Sequence, residues 1–346
     1  MDGGALTRAL LERAREEGFD AAGIAAARPL PRDARALESW LARGFHAAMR
    51  WLARDAARRA DPRELLPGCR SVVSLAMNYG PELSSPGPAA GRAKVALYAR
   101  RRDYHRVLGA KARRLAAWLE EASGCPARAF VDTGPVLERA WAEASGLGWI
   151  GKNANLLTRT HGSWLLLGEI LSAASLEPTP GPHDDFCGTC TACLDACPTG
   201  AIVEPGVVDS SRCVSYWTIE HRGAIPEAIR SGIGDWLFGC DDCQTVCPWN
   251  VSFARSAAGG PLGARDDLDG LDPEEVLGMD EHAFRARFSG TPLMRARWDG
   301  MRRNASVVLG NRGDPKALPA LRAALADPDP VIRSHADWAI RRISGE

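Results

Sequence analysis

The run "FCGTCTACLDACPTGAI" (residues 186–202) constrains this chain more than any other stretch. It places Cys187, Cys190, Cys193 and Cys197 close together and follows them with Pro198. Cysteines two residues apart in a tight loop make poor disulfides. A chain of 346 residues also has no need of covalent staples. Structural zinc favours two C-x2-C pairs separated by a longer loop. The spacing C-x2-C-x2-C-x3-C-P is instead that of bacterial iron–sulfur proteins, in which three cysteines hold one cubane and the fourth reaches to a second.

That reading demands a second cysteine group, and the sequence supplies one: Cys213, then Cys240, Cys243 and Cys247 in "GCDDCQTVCPWN". Crossing the ligands as two-cluster ferredoxins do assigns Cys187, Cys190, Cys193 and Cys247 to one [4Fe–4S] cluster. Cys197, Cys213, Cys240 and Cys243 go to the other. Cys69 and Cys125 remain, and both read as ordinary buried thiols. Two clusters imply a reducing, cytoplasmic setting. No apolar run approaches membrane-spanning length, because "SWLLLGEILSAASL" is short and broken by Glu169. The first 24 residues read as an amphipathic helix with Leu6, Leu10, Leu11 and Ala14 on one face, and not as a signal peptide.

Residues 1–175 alternate strand-like runs (71–77, 94–99, 127–132, 163–171) with helical patterns (106–123, 135–146), which predicts an α/β or α+β domain. The cysteine region, 176–255, follows as a ferredoxin-like domain. "PELSSPGPAAGR" (81–92) reads as a surface loop. Residues 285–346 read as helices, two of them entered through Asp-Pro caps, in the manner of a HEAT-like repeat. The fold class expected is therefore α+β, in three parts.

Charge is uneven. Residues 32–114 hold 18 Lys and Arg against 7 Asp and Glu, residues 175–284 hold 5 against 19, and residues 285–346 hold 12 against 6. Two basic segments flanking an acidic one suggest a polyanion footprint. No G-x-G-x-x-G follows a strand, so a dinucleotide fold has little support. "VDTGPVLERAWAEASGLGWIGKNANLL" (131–157) stands out as an acceptor site. Asp132 lies at the carboxyl end of a strand, as a site acid or as the N-cap of a helix starting at Pro135. The glycine-rich loop beyond it, with Lys152, Asn153 and Asn155, allows close approach of backbone to a ligand.

Six pieces in this order, "ARRADPRELLPGCRSVVSLAMNY", "LYARRRDYH", "VDTGPVLERAWAEASGLGWIGKNANLL", "CGTCTACLDACPTGAI", "GCDDCQTVCPWN" and "MRRNASVVLGN", resemble the epoxyqueuosine reductase family over nearly the whole chain. The resemblance implies a cobalamin-dependent enzyme with two [4Fe–4S] clusters that reduces epoxyqueuosine to queuosine at the wobble position of tRNA, and a kinship with corrinoid reductive dehalogenases. It makes residues 1–175 the cobalamin-binding catalytic domain and 285–346 a tRNA-binding domain. Asp132 matches the family's proton donor, for which a carboxyl raised by burial beneath a corrin and its neighbours is expected. Cobalamin contacts are expected from Arg59, Tyr104, His105, Arg139, Lys152, Asn153 and Asn155, with Ser211 and Ser215 near the nucleotide tail. "DYHRVLG" has one residue too many for the D-x-H-x-x-G signature of histidine-on cobalamin proteins, so His105 is not expected to ligate cobalt. tRNA contacts are expected from Arg295, Arg297, Arg302, Arg303 and Asn304. The partners expected are tRNA and an unidentified electron donor, with no membrane and a monomeric chain. The rivals are a corrinoid-dependent reductive dehalogenase of a small molecule, which is usually exported behind a twin-arginine leader absent here, and a simple electron carrier.

Overall fold

A computed structural model of the chain describes residues 2–81, 91–257 and 259–346. Most of the loop expected at 81–92 lies outside them.

The N-terminal helix is shorter than its sequence suggests. Helix α1 (Gly3–Glu16) is capped by Asp2, whose carboxylate accepts from the Ala5 N–H, and it buries Leu6, Leu10 and Ala14 as expected. The chain then turns at Gly18, where φ is +87°, and "AAGIAA" becomes strand β1 (Ala21–Ala26). Alanine's helical propensity is overridden here by pairing: β1 lies antiparallel to β2 (Ser71–Asn78) along its whole length.

Strand β2 is buried at every position. It pairs on its other side with β4 (Leu165–Ser172), which pairs in turn with β3 (Ala127–Phe130). The sheet order is β1-β2-β4-β3 and every pairing is antiparallel. Of the α/β and α+β expectations for this part, the second thus holds, because no crossover places two strands parallel within the sheet. Helix α2 (Tyr104–Ser123) covers one face with Leu108, Ala112, Leu115 and Leu119, and ends at Gly124 in the left-handed region. Each such leucine contributes about 1.5–3 kcal/mol by burial. Helix α3 (Glu138–Ala144) lies on the opposite face with Trp141 against Val72 and Leu171.

The run expected as a strand over 94–99 pairs only at Lys94–Val95, parallel to Trp236–Phe238, and then turns into a 3-10 helix. Ala93, Val95 and Ala99 join one core with Trp236, Leu237 and Phe238 and with the C-terminal helices. Those helices are α4 (Arg297–Arg312), α5 (Leu318–Ala324) and α6 (Pro330–Ser344). Asp314 and Asp329 cap as their Asp-Pro signals predict, accepting from Lys316 and Val331. Helix α4 is central and packs against α6 so closely that a Cβ on Gly310 would lie 2.6 Å from Trp338 and 2.9 Å from Ala339. The chain is a mixed helix and sheet structure.

Candidate functional site

The site is built from the two ends of neighbouring elements. Asp132 lies two residues beyond β3, with φ at +57°. A non-glycine residue in that region costs about 1–3 kcal/mol, so the surroundings must hold it there. Asp132 is not a helix cap: α3 begins at Glu138 after an N-cap at Leu137. Its backbone N–H instead donates to Glu138 Oε1 at 2.6 Å.

Its carboxylate faces the start of α2. Asp103 caps that helix, accepting from the His105 N–H, and also holds His105 Nδ1 at 2.8 Å. The ring is thereby turned so that Nε2 meets Asp132 Oδ2 at 2.9 Å. Tyr104 stacks on His105, with ring centroids 4.1 Å apart. The hydrogen bonds to Asp103 and then Asp132 raise the imidazole to about 9. Burial pushes the Asp132 carboxyl up, but hydrogen bonds from His105 and Tyr104 outweigh it and hold the acid below the usual carboxylate range. At neutral pH the proton shared by this pair therefore resides on His105.

Sequence reading missed Asp103, Glu138 and Glu169. Burial first, then the Asp132 charge, pushes Glu138 to about 7. Glu169, on β4, has no exposed surface, and burial drives its carboxyl well up. In the sequence it is the one charge interrupting "SWLLLGEIL". Arg295 pairs with Glu220 at 2.6 Å, and its charge acts on both Asp132 and Tyr104. It stands beside the acid.

Arg59 is buried, with its guanidinium over the Trp51 ring; among the described residues its Nε has no partner. Burial lowers its affinity for a proton, opposed by Asp55, Glu138 and Asp132. Such an orphan donor suits a ligand rich in amide carbonyls. Arg139 donates to the Ala154 carbonyl. Other expected cofactor contacts are already engaged within the protein. Lys152 Nζ donates to the carbonyls of Gly188 (2.6 Å) and Cys190 (2.9 Å), and Asn153 to that of Cys243 (3.3 Å). Asn155 closes the turn through its backbone. The glycine-rich loop is a hairpin in which a Cβ on Gly148 would fall 1.9 Å from the Leu157 carbonyl. Its glycine serves the partner strand, and the loop ties the two cysteine groups together. Ser211 donates to Asp209, while Ser215 hydrogen-bonds Cys213.

The cysteines gather in two sets. Cys187, Cys190, Cys193 and Cys247 line one cavity of about 280 Å³ with Lys152, Phe186 and Trp249. Cys213 lies near Cys197; Cys240 near Cys213 and Cys243; Cys243 near Cys213, Cys197 and Cys193. Burial and then neighbouring charge push the Cys240 and Cys243 thiols up. Thiolates so crowded persist only beside cations, as iron provides. Cys69 is buried; Cys125, expected buried, is only partly so.

Three of the five expected RNA contacts are structural. Arg303 is 2% exposed and donates to the carbonyls of Trp217, His221 and Gly223. Asn304 is fully buried and donates to Thr218 and Leu237. Arg302 donates to the Leu277 carbonyl and pairs with Asp327. Expectation failed because the helix bearing them is interior, and its polar residues satisfy loop carbonyls. Arg295 and Arg297 are exposed. The basic surplus of 32–114 is partly neutralised, since Arg32, Arg100 and Arg114 pair with Glu143, Asp269 and Glu17 from outside it.

Two cysteine tetrads joined to an acid–imidazole pair define an iron–sulfur oxidoreductase. Residues 186–250 match the model described as a 4Fe-4S double cluster binding domain, and residues 59–133 the one described as epoxyqueuosine reductase QueG, DUF1730. The epoxyqueuosine reductase of Gloeobacter violaceus is 45% identical over 311 residues, 88% of this chain and 96% of that protein. That of Pseudomonas aeruginosa is 41% identical over 344 residues, 97% and 94% of the two chains. A crystal structure of epoxyqueuosine reductase with a tRNA-Tyr epoxyqueuosine-modified stem loop superposes with a TM-score of 0.90 at 32% identity, covering 98% of this chain and 90% of that one. The chain belongs to the epoxyqueuosine reductase family.

Proposed function

We propose that this chain reduces epoxyqueuosine to queuosine at the wobble position of tRNA, with Asp132 and His105 as its acid. The observation that carries the reading is the 2.9 Å contact between His105 Nε2 and Asp132 Oδ2, in a chain that also holds two cysteine tetrads. Deoxygenation of an epoxide takes two electrons and two protons and releases water. The oxygen is a poor leaving group unless an acid protonates it. Asp132, half-exposed beside protonated His105, can donate at its carboxylate and be resupplied from the imidazole.

The two tetrads would hold one [4Fe–4S] cluster each, which would supply electrons singly. Cobalamin, when bound, supplies low-valent cobalt as the electron donor to carbon. Of this chain's residues, Arg59, Tyr104, His105 and Arg139 remain the candidates to hold it, with Ser215 at the second tetrad. Lys152, Asn153 and Asn155 order the loop between the tetrads, and Ser211 acts through Asp209. The relative from Bacillus subtilis has been described with its catalytic aspartate loop swung out of the active site. The left-handed φ of Asp132 suits a loop of that kind.

Residues 1–175 are the cobalamin-binding catalytic part, 176–255 the cluster part, and 285–346 a HEAT-like helical part that presents Arg295 and Arg297 to RNA. An unidentified electron donor recharges the clusters of a cytoplasmic monomer. Among the described residues no helix is long and apolar enough to cross a membrane.

The test is anaerobic. Clusters are reconstituted, cobalamin and a chemical reductant are added, and tRNA carrying epoxyqueuosine is supplied. Mass spectrometry of the digested RNA should show loss of one oxygen with wild type and little loss with Asp132→Asn. No conversion despite intact clusters and bound cobalamin overturns the reading in favour of a dehalogenase-like activity on a small molecule.

A further inference from the structure

The hairpin that leads into Lys152 also carries a donor without a partner. Trp149 opens that hairpin, in which Trp149–Ile150 pairs with Leu156–Leu157, and it is 1% exposed. Its side chain packs with Leu157 and Cys247 in one small core, against Cys187 and Trp249. The rings of Phe186 and Trp249 meet it nearly edge to face, each with its centroid 5.1 Å away. Among the described residues the buried Nε1–H of Trp149 completes no hydrogen bond. It lies within reach of the Cys187 sulfur, as does the backbone N–H of Lys152. The neighbouring indoles are already engaged: Trp249 donates to the Phe186 carbonyl and Trp236 to Asp242.

A buried indole N–H normally has a partner, and one left without it bears the full cost of losing water. A thiol sulfur is a weak acceptor. A thiolate bound to iron carries charge and accepts strongly. The lone donor therefore suits Cys187 as a cluster ligand better than Cys187 as a free thiol. The second tetrad is built with the opposite sign. There Asp242 Oδ2 lies 3.5 Å from the Cys240 sulfur and is held in place by Trp236 Nε1 at 3.1 Å.

Resting on the cluster ligation proposed above, we propose that Trp149 donates its indole N–H to the iron-bound Cys187 thiolate and so gives the cluster of Cys187, Cys190, Cys193 and Cys247 the higher reduction potential of the two. Reduction adds one electron to a cluster and makes or breaks no covalent bond. The added negative charge spreads onto the ligand sulfurs, so a donor aimed at one of them favours the reduced form. The Asp242 carboxylate opposes the same charge in the second tetrad. An electron supplied singly then settles on the first cluster, and the second is filled only under stronger reduction. Trp149 acts through Cys187 and is a positioning residue.

Redox titrations followed by electron paramagnetic resonance are run on the full chain with reconstituted clusters, as wild type, Trp149→Phe and Asp242→Asn. Phenylalanine keeps a ring between Phe186 and Trp249 and removes the donor. Cys247→Ala, which removes a ligand of the first cluster alone, tells the two signals apart. Trp149→Phe should shift the reduced-to-oxidised ratio of the first cluster about tenfold toward oxidised at a fixed potential, a lowering of about 59 mV, and leave the second unchanged. Asp242→Asn should raise the second and narrow the gap. Wild type labelled with nitrogen-15 in its indoles should show a nitrogen hyperfine coupling at the reduced first cluster. An unchanged first potential in a loaded Trp149→Phe overturns the proposal, as does a first potential below the second in wild type. Absence of the nitrogen coupling also overturns it, and places the N–H on the ring face of Phe186 or Trp249. That coupling is read on wild type, so it decides even where the variant loads poorly. A wild type that takes up no clusters overturns the ligation beneath the proposal. None of these readings involves tRNA, so the substrate reading stands or falls separately.

Discussion

His105 Nε2 lies 2.9 Å from Asp132 Oδ2, and the same ring is pinned from behind by Asp103 at 2.8 Å. One imidazole therefore bridges two carboxylates contributed by different segments. The bridge makes His105 the proton reservoir and leaves Asp132 as the group that presents the proton.

The first prediction concerns pH. His105 is raised from 6.5 to about 9 on folding, so its ion-pair contribution is fully present below 6.5 and is lost as pH rises through 9. Activity should fall over the same upper limb. In His105→Gln, Asp132 loses its strongest partner and burial then raises its carboxyl, which should move the limb down in pH. The loss at neutral pH should be about 10- to 100-fold. Single-turnover rates across pH, measured on tRNA, check both.

The crossed ligand assignment is tested by Cys247→Ala. Cys247 lies with the first cysteine group although it closes the second in sequence. The variant should lose one cluster of the two, with iron and sulfide falling to about half, and should keep the cluster held by Cys197, Cys213, Cys240 and Cys243. Iron analysis with electron paramagnetic resonance decides. Loss of both signatures, or of the other cluster, overturns the assignment.

Lys152 spans two carbonyls of the first cysteine loop, those of Gly188 and Cys190. Lys152→Met removes the charge and both bonds. It should lower that cluster's reduction potential and hasten its oxidative loss while leaving cobalamin affinity within about twofold, since each charged hydrogen bond is worth roughly 1.5–3 kcal/mol to the loop it orders. Redox titration and cobalamin binding separate this role from a direct contact with the cofactor.

Arg303 and Arg297 should behave oppositely. Arg303→Ala strips donors from the buried carbonyls of Trp217, His221 and Gly223 and should destabilise the fold by about 3 kcal/mol or more, read as a lowered melting temperature. Arg297→Ala should leave the melting temperature unchanged. It should weaken tRNA binding and reduce the salt dependence by about one unit of slope if it contacts phosphate.

The double-cluster region was legible in the sequence because cubane ligation is a matter of spacing along a short loop. The helix caps at Asp314 and Asp329 were legible for the same reason: an Asp-Pro cap is satisfied within three residues. Strand β1 was not, since alanine-rich sequence takes its conformation from the neighbour it pairs with. The burial of Arg302, Arg303 and Asn304 was not, because an arginine in a helix looks solvated until the loops it caps are placed around it. At the site, the residue pattern alone put Asp132 near the end of a strand and a double-cluster region beyond it. It is the folded chain that brings Asp132 against His105 and Lys152 against a cluster loop. Those pairings join residues 27 to 38 positions apart, and the forces that set them, desolvation and charge, exist only once the sheet and its helices have closed over the groups.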